Sequence, residues 1–154
     1  MYELAFVDDE TSELMLRDAA KAGFETVRFW CFYGVSDTKL QFIISSAKKY
    51  NLKLIPVLAD RWGYNQSFII DSEWYKENYK KEYLPFVLNL TGKFKNYEEI
   101  LLWELINEPA SEKFEYIYNF VKDTAKKIKV VNCRHAISLG TIGGIGDKFG
   151  SHFS

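Results

Sequence analysis

Segments of helical and of strand periodicity alternate along the chain, and no linker or low-complexity stretch separates them. Four segments have helical spacing of apolar residues or helical composition: 10–22, 36–50, 72–90 and 114–128. A run of apolar, β-branched or aromatic residues follows each helix and predicts a buried strand: 24–32, 52–58, 100–106 and 135–139. The last helix is predicted to bury one side, which consists of Phe114, Ile117, Tyr118, Val121, Ala125 and Ile128. A strand after each helix is the order of β/α units, whose strands run parallel.

Helix ends and prolines refine this prediction. Asp8 or Asp9 is suited to cap the first helix, and Gly23 suits the left-handed position just after its end. Pro85 falls inside the third helix and indicates a kink or a break. Pro56 removes a hydrogen-bond donor from the second strand, so that strand must be irregular there or lie at an edge.

The length of the chain bears on which β/α architecture it can form. With 154 residues it corresponds to a single domain over 1–154. Repeated β/α units build either an open doubly wound sheet or a closed eight-stranded barrel. A closed barrel takes about 250 residues, so the length alone favours the open sheet.

Composition and charge exclude several classes of function. The net charge is -1 without a basic block, which argues against a nucleic-acid binder and against electrostatic attachment to a membrane. The two cysteines, Cys31 and Cys133, are far apart, and the two histidines are too few for a histidine-based metal site, so no metal is expected. No Gly-rich phosphate loop follows a strand, and no cofactor is expected either. No apolar run is long enough to span a membrane, and no signal peptide is recognisable, so the chain as written is predicted to be cytoplasmic.

The strongest chemical signal is the segment Trp-Glu-Leu-Ile-Asn-Glu-Pro at 103–109. Alternation places Glu104 and Glu108 on one face of the strand, and Asn107 joins that face only if the strand end is irregular. Glu108 falls at the carboxyl end of a parallel strand, where α/β proteins place their chemistry. A carboxyl group buried there among aromatic side chains holds its proton more strongly, which suits a general acid. Taken alone, the stretch also fits a helix start with Pro109 in the first turn.

These seven residues closely resemble the acid/base strand of glycoside hydrolase family 5, a family of retaining β-glycosidases that includes β-mannanases and cellulases. Three further segments resemble the second, third and fifth strands of that family's barrel: 24–32, 54–62 and 135–140. The resemblance implies an α/β fold that is a partial, truncated TIM-type β/α barrel with about four to five parallel strands and four helices. The first strand is then missing or reduced to residues 2–7.

The resemblance also implies roles for polar residues at the strand ends. Glu108 would protonate the departing glycosidic oxygen and later activate water, and Asn107 would hydrogen-bond the sugar 2-hydroxyl. Arg28 shares the inward parity of its strand and would brace the catalytic carboxylates. An equally good interpretation of Arg28 is a buried ion pair with Glu104 that has no substrate role.

Aromatic residues just past the strand ends are candidates for stacking on a sugar ring: Trp30, Trp62, Tyr33 and Tyr64. Trp62 is the best of them, because a Gly-Tyr-Asn loop follows it and makes burial less favourable. Core packing remains the default role for any single aromatic residue, and Trp74 is assigned to packing.

The second carboxylate of a retaining glycosidase has no counterpart in this sequence. It lies about 5 Å from the first, and in family 5 it is a glutamate at the end of the seventh strand. We therefore expect a glycosidase-like chain for β-linked oligo- or polysaccharides whose nucleophile is not encoded here, with mannan and cellulose not distinguished. The alternatives are a fragment of a longer enzyme, a half-barrel that forms a homodimer through its open edges, a non-catalytic carbohydrate-binding module, and an unrelated open α/β sheet.

Overall fold

A computed structural model describes residues 1, 3–63 and 70–141. Tyr64, one of the candidate sugar platforms, therefore lies outside the described residues. Residues 3–7 form turns, so the reduced first strand considered from the sequence is not observed in that stretch. The amino group of Met1 instead donates a hydrogen bond to the backbone oxygen of Arg28 at 2.6 Å.

The core of the fold is a sheet of four parallel strands in the order β1-β2-β3-β4, with helices between them. The strands are β1 (Thr26–Trp30), β2 (Lys53–Val57), β3 (Leu102–Asn107) and β4 (Ala136–Gly140). The helices are α1 (Asp9–Lys21), α2 (Asp37–Lys49), α3 (Ser72–Lys76), α4 (Tyr83–Lys93) and α5 (Phe114–Val131), with a short 3-10 helix at Asn78–Lys80. The α/β class and the parallel sheet are therefore confirmed. Each strand also pairs with the next one along the chain, which is the order in a β/α barrel, whereas the strand order of a doubly wound sheet reverses at one point.

The predicted third helix is divided, so residues 1, 3–63 and 70–141 contain five α-helices instead of the expected four. The chain leaves helical geometry at Glu77, and a two-residue turn separates the 3-10 helix from α4, which begins at Tyr83. Pro85 thus lies in the first turn of α4, where a missing N–H costs no helical hydrogen bond. Pro85 marks the start of a new helix rather than a kink in a long one.

Pro56 lies in an inner strand, and the ladder is irregular where its donor is missing. On the β3 side, the Leu54 N–H donates to the Glu99 oxygen at 2.8 Å and the Leu58 N–H donates to the Glu104 oxygen at 2.9 Å. Four steps along the chain from Leu54 to Leu58 are therefore matched by five steps from Glu99 to Glu104. The extra residue forms a bulge opposite Pro56, so the irregularity that its presence requires is confirmed.

The two faces of the sheet differ in what covers them. The helices cover one face, and the main apolar core lies between that face and the helices; it includes Val27, Phe29 and Leu54 of the sheet. The opposite face carries a small cluster of Trp30, Phe32 and Val57. Alternation along β1 therefore directs Arg28 and Trp30 to the face that a barrel would turn inward.

The buried side of α5 differs from the predicted one. Its fully buried residues are Ile117, Phe120, Thr124 and Ile128. Phe114 and Tyr118 are about half exposed, at 52% and 50%. The helix is rotated toward Phe120 because Phe120 packs into an aromatic cluster with Trp74, Tyr75, Tyr79 and Tyr83.

Candidate active site

Polar side chains from three neighbouring strands meet at the carboxyl end of the sheet. Arg28 comes from β1, Asp60 follows β2, and Glu104 and Asn107 come from β3. Hydrogen bonds join these four residues into one network. Three of the four are buried, whereas the Arg28 side chain is 38% exposed.

Arg28 is the cation of this network. Its Nε donates to Oε2 of Glu104 at 3.0 Å, and one terminal nitrogen donates to Oε1 of the same carboxylate, which makes a two-pronged ion pair. The same terminal nitrogen also donates to Oδ1 of Asn107 at 2.8 Å. The guanidinium lies 4.7 Å from the centre of the Trp30 ring. Its charge is also felt at the Met1 amino group, whose pKa is lowered by burial and by Arg28.

A bulge at the end of β3 places Asn107 on the same face as Glu104. Glu104 pairs with Ser138 and Asn107 pairs with Gly140, so three steps along β3 match two along β4. The irregular strand end on which the position of Asn107 depends is therefore confirmed. Gly140 permits this close packing, because a Cβ there would overlap Oε1 of Glu104 and lie 2.9 Å from the Ile106 oxygen.

Glu108 has a left-handed backbone conformation with φ of +48°. Such a conformation costs a non-glycine residue roughly 1–3 kcal/mol, and strain of this kind is concentrated at functional sites. The Glu108 N–H donates to the Gly140 oxygen at 2.7 Å, which anchors the turn to β4. The side chain is half-buried, less than the sequence led us to expect, and its Oε2 accepts a hydrogen bond from the Trp62 indole at 2.7 Å.

Trp62 is the most exposed of the described aromatic residues near the site, at 67%. The guanidinium of Arg61 lies 4.9 Å from its ring centre, and its indole N–H bonds Glu108. The expectation that Trp62 is not buried is confirmed. Its role in sugar stacking stays a prediction.

Trp30 requires a correction, because it is only 5% exposed and packs with Phe32 at a ring-centre distance of 5.4 Å. With Arg28 also against its ring, we assign it to packing and not to sugar contact. Tyr33 is 40% exposed and lies edge-on to Phe86. Trp74 is buried among aromatic rings, as predicted.

Three residues of this region were given no role from the sequence: Asp60, Arg61 and Gly140. Asp60 ends an apolar strand yet is 3% exposed, and its Oδ1 accepts a hydrogen bond from Nδ2 of Asn107 at 2.8 Å. An acidic residue directly after a buried strand was the available signal for it. Among residues 1, 3–63 and 70–141, no three His, Cys, Asp or Glu side chains are grouped so that they could hold a metal ion. None of the helices in these ranges has the length and apolar character that a membrane crossing requires.

Comparisons with known proteins bear on which site this is. No protein-family model matches the sequence. Mannan endo-1,4-beta-mannosidase 5 of Solanum lycopersicum is 28% identical over 194 aligned residues, which cover 96% of this chain and 47% of that protein. Mannan endo-1,4-beta-mannosidase A of Aspergillus aculeatus is 26% identical, with 68% of this chain and 31% of that protein covered. The sequence is thus similar to those of mannan endo-1,4-beta-mannosidases, in agreement with the resemblance that the motif suggested.

Solved family 5 structures share the fold. The endo-1,4-beta-mannanase from Rhizomucor miehei superposes with a TM-score of 0.81 at 16% identity, covering 96% of this chain and 56% of that one. Endoglucanase Cel5A from Thermotoga maritima superposes with a TM-score of 0.67 at 20% identity, covering 86% of this chain and 44% of that one. The four strands thus match part of a family 5 barrel, and the resemblance inferred from the motif is confirmed. This chain spans about half of the length of the tomato relative, at 47%.

Proposed function

We propose that this chain carries the acid/base side of a retaining β-glycosidase site and that its substrate is a β-1,4-linked mannan or a related β-glucan. The observation that carries the proposal is the environment of Glu108. Its backbone is strained, its carboxylate accepts a hydrogen bond from the exposed indole of Trp62, and it directly follows Asn107, which is hydrogen-bonded to Arg28. The relatives support the substrate class, since the two described above are mannan endo-1,4-beta-mannosidases.

In this mechanism Glu108 first donates a proton to the departing glycosidic oxygen and then removes one from water. Its Oε2 accepts the Trp62 indole hydrogen bond, so Oε1 is the oxygen that carries the proton. Asn107 holds the sugar 2-hydroxyl, a contact that strengthens as the ring gains oxocarbenium character. Trp62 offers its exposed ring to the apolar face of a sugar.

Arg28 and Glu104 act as supports in the proposal. Both oxygens of Glu104 are bonded by Arg28, so this carboxylate is not free to attack a sugar. The nucleophile about 5 Å from Glu108 that a retaining mechanism needs comes from outside the described strands. The proposal therefore assigns this chain the acid/base and 2-hydroxyl contacts alone.

The experiment compares Glu108→Gln with Glu112→Gln, which removes an exposed carboxylate from the same loop. When the part of the barrel that supplies the nucleophile is present, loss of a general acid should slow cleavage of a β-1,4-manno-oligosaccharide by roughly 100- to 10,000-fold. Compared as kcat/KM, which reports the first step, a substrate with a dinitrophenol leaving group needs no protonation and should lose much less, although its kcat still falls because Glu108 no longer activates water. The control variant should keep the activity of the unmodified chain. Equal losses on both substrates, or an unaffected Glu108→Gln variant of an active chain, would contradict the assignment.

The alternative function is a non-catalytic carbohydrate-binding or self-associating half-barrel. One observation favours it: among the described strands, β1 and β4 each pair on one side only. Free parallel edges favour association with a second copy. Glycan binding that survives Glu108→Gln, without hydrolysis even when the part of the barrel that supplies the nucleophile is present, would favour the binding function. Light scattering at micromolar concentration would separate a dimer from a monomer.

A further inference from the structure

We propose that Asp60 is a positioning residue that orients the side-chain amide of Asn107, so that Asn107 presents an N–H, and not its oxygen, to the sugar. This inference rests on the proposed function for its ligand. The orientation itself rests on contacts within the chain. Sequence reasoning and the comparisons assign Asp60 no role.

The orientation follows from two neighbours of opposite character. Oδ1 of Asn107 accepts a hydrogen bond from Arg28 at 2.8 Å, and Nδ2 donates to Oδ1 of Asp60 at 2.8 Å. Guanidinium groups only donate and an ionised carboxylate only accepts. A flipped amide would set N–H against N–H at Arg28 and oxygen against oxygen at Asp60. Only one of the two orientations therefore satisfies both neighbours.

The backbone keeps Asp60 and Asn107 side by side. The Asn107 N–H donates to the Ala59 oxygen at 2.8 Å, and the Arg61 N–H donates to the Asn107 oxygen at 3.2 Å. These two bonds flank Asp60 on either side. Both side chains are buried, with 3% exposure for Asp60 and 9% for Asn107, so water competes poorly for their hydrogen bond.

Nδ2 of Asn107 carries a second hydrogen, for which the described part of the chain supplies no partner. It is the group of this amide that remains for a ligand. A ligand oxygen that meets it must accept, as a sugar 2-hydroxyl can. Without Asp60, only the Arg28 contact selects the orientation, and the amide gains freedom to turn about its last side-chain bond.

The first arm of the test observes Asn107 directly by NMR. Selective ¹⁵N-asparagine labelling shows the side-chain amides, and Asn107→Ala identifies the Asn107 pair by its disappearance. Loss of a hydrogen bond to a charged acceptor should speed hydrogen exchange of this pair about tenfold or more in Asp60→Ala. Asp60→Asn retains an acceptor oxygen and should restore most of the protection. Glu112→Gln should leave the pair unchanged. An unchanged Asn107 pair in Asp60→Ala would overturn the proposal.

The second arm measures binding of β-1,4-mannotetraose by calorimetry in a double-mutant cycle. If Asp60 acts through Asn107, Asp60→Ala weakens binding about tenfold with Asn107 present and has little effect in an Asn107→Ala background. Equal losses in the two backgrounds would show that Asp60 acts by another route and overturn the inference. If Asp60→Ala does not fold, Asp60→Leu, which fills the buried space without an acceptor oxygen, takes its place in both arms with the same losses expected.

The two arms separate this inference from the function on which it rests. If the unmodified chain binds no oligosaccharide, the proposed function and the sugar contact both fall. The NMR arm still decides whether Asp60 orients Asn107.

Discussion

Removal of Arg28 should destabilise the fold more than removal of the charge of its partner Glu104. The two side chains form an ion pair but differ in exposure, with 38% for Arg28 and 8% for Glu104. Arg28→Met leaves a buried carboxylate without its cation. Glu104→Gln leaves a guanidinium that water can reach and an amide that can still accept a hydrogen bond.

The exposures set the magnitudes. An unpaired buried charge costs about 3–5 kcal/mol, and we place Arg28→Met in that range. For Glu104→Gln we expect about 1–2 kcal/mol, the loss of a charge-assisted hydrogen bond beside a partly solvated cation. The loss in the double variant Arg28→Met/Glu104→Gln should lie well below the sum of the two single losses, because no unpaired charge remains.

The assay is urea unfolding at about pH 7.5, followed by far-ultraviolet circular dichroism, with the slope of the free energy against urea checked for constancy. Arg17→Met is the control, because Arg17 is 39% exposed and pairs with the 62% exposed Asp18. That variant should change the unfolding free energy by less than about 0.5 kcal/mol. A larger loss for Glu104→Gln than for Arg28→Met would refute the reasoning from burial.

Three further predictions concern other parts of the fold. Gly140→Ala should lower the unfolding free energy by about 1–3 kcal/mol, since the added methyl overlaps the Glu104 carboxylate; an unchanged midpoint in urea would contradict this close packing. Burial lowers the pKa of His135 below its usual 6.5, so the unfolded chain binds the proton at a higher pH than the folded chain. The unfolding free energy should therefore fall as the pH drops below about 6.5, and His135→Gln should reduce that fall between about pH 7.5 and 5.5. Tyr83→Phe should lower the unfolding free energy by about 1–2 kcal/mol, because the Tyr83 hydroxyl donates to a buried backbone oxygen. Tyr75→Phe should change it very little, because the buried Tyr75 hydroxyl has no hydrogen-bond partner among the described residues. Equal melting temperatures for the two variants would contradict this contrast.

Local patterns predicted the sheet and much of the site. Alternation along β1 and β3 predicted that Arg28 and Glu104 lie on one face, and their ion pair is present in the structure; the alternation fails beyond Glu104, where the bulge intervenes and Ile106 packs in the core on the helix side. Asp8 caps α1 and Ser36 caps α2, which explains why the sequence predicts where these helices start. Such features depend on residues that are close in the sequence.

Features that depend on distant partners were not predictable in the same way. The shift that brings Asn107 beside Glu104 arises from pairing with Gly140 of β4, more than thirty positions along the chain. The contact of Asp60 with Asn107 joins residues 47 positions apart. The buried side of α5 follows from the aromatic cluster around Phe120, and the apolar pattern of α5 alone fits two adjacent sides.

The central claim is that a β-linked sugar binds at the carboxyl end of this sheet, beside Trp62 and Glu108. The most direct test is an NMR titration of the ¹⁵N-tryptophan-labelled chain with β-1,4-mannotetraose, which needs no turnover. The indole resonance of Trp62 should shift, and those of the buried Trp74 and Trp103 should stay in place. In Glu108→Gln the shift should persist, because the exposed Trp62 ring is unchanged. A Trp62 resonance that does not move at saturating sugar, or a shift confined to Trp74 or Trp103, would contradict the account.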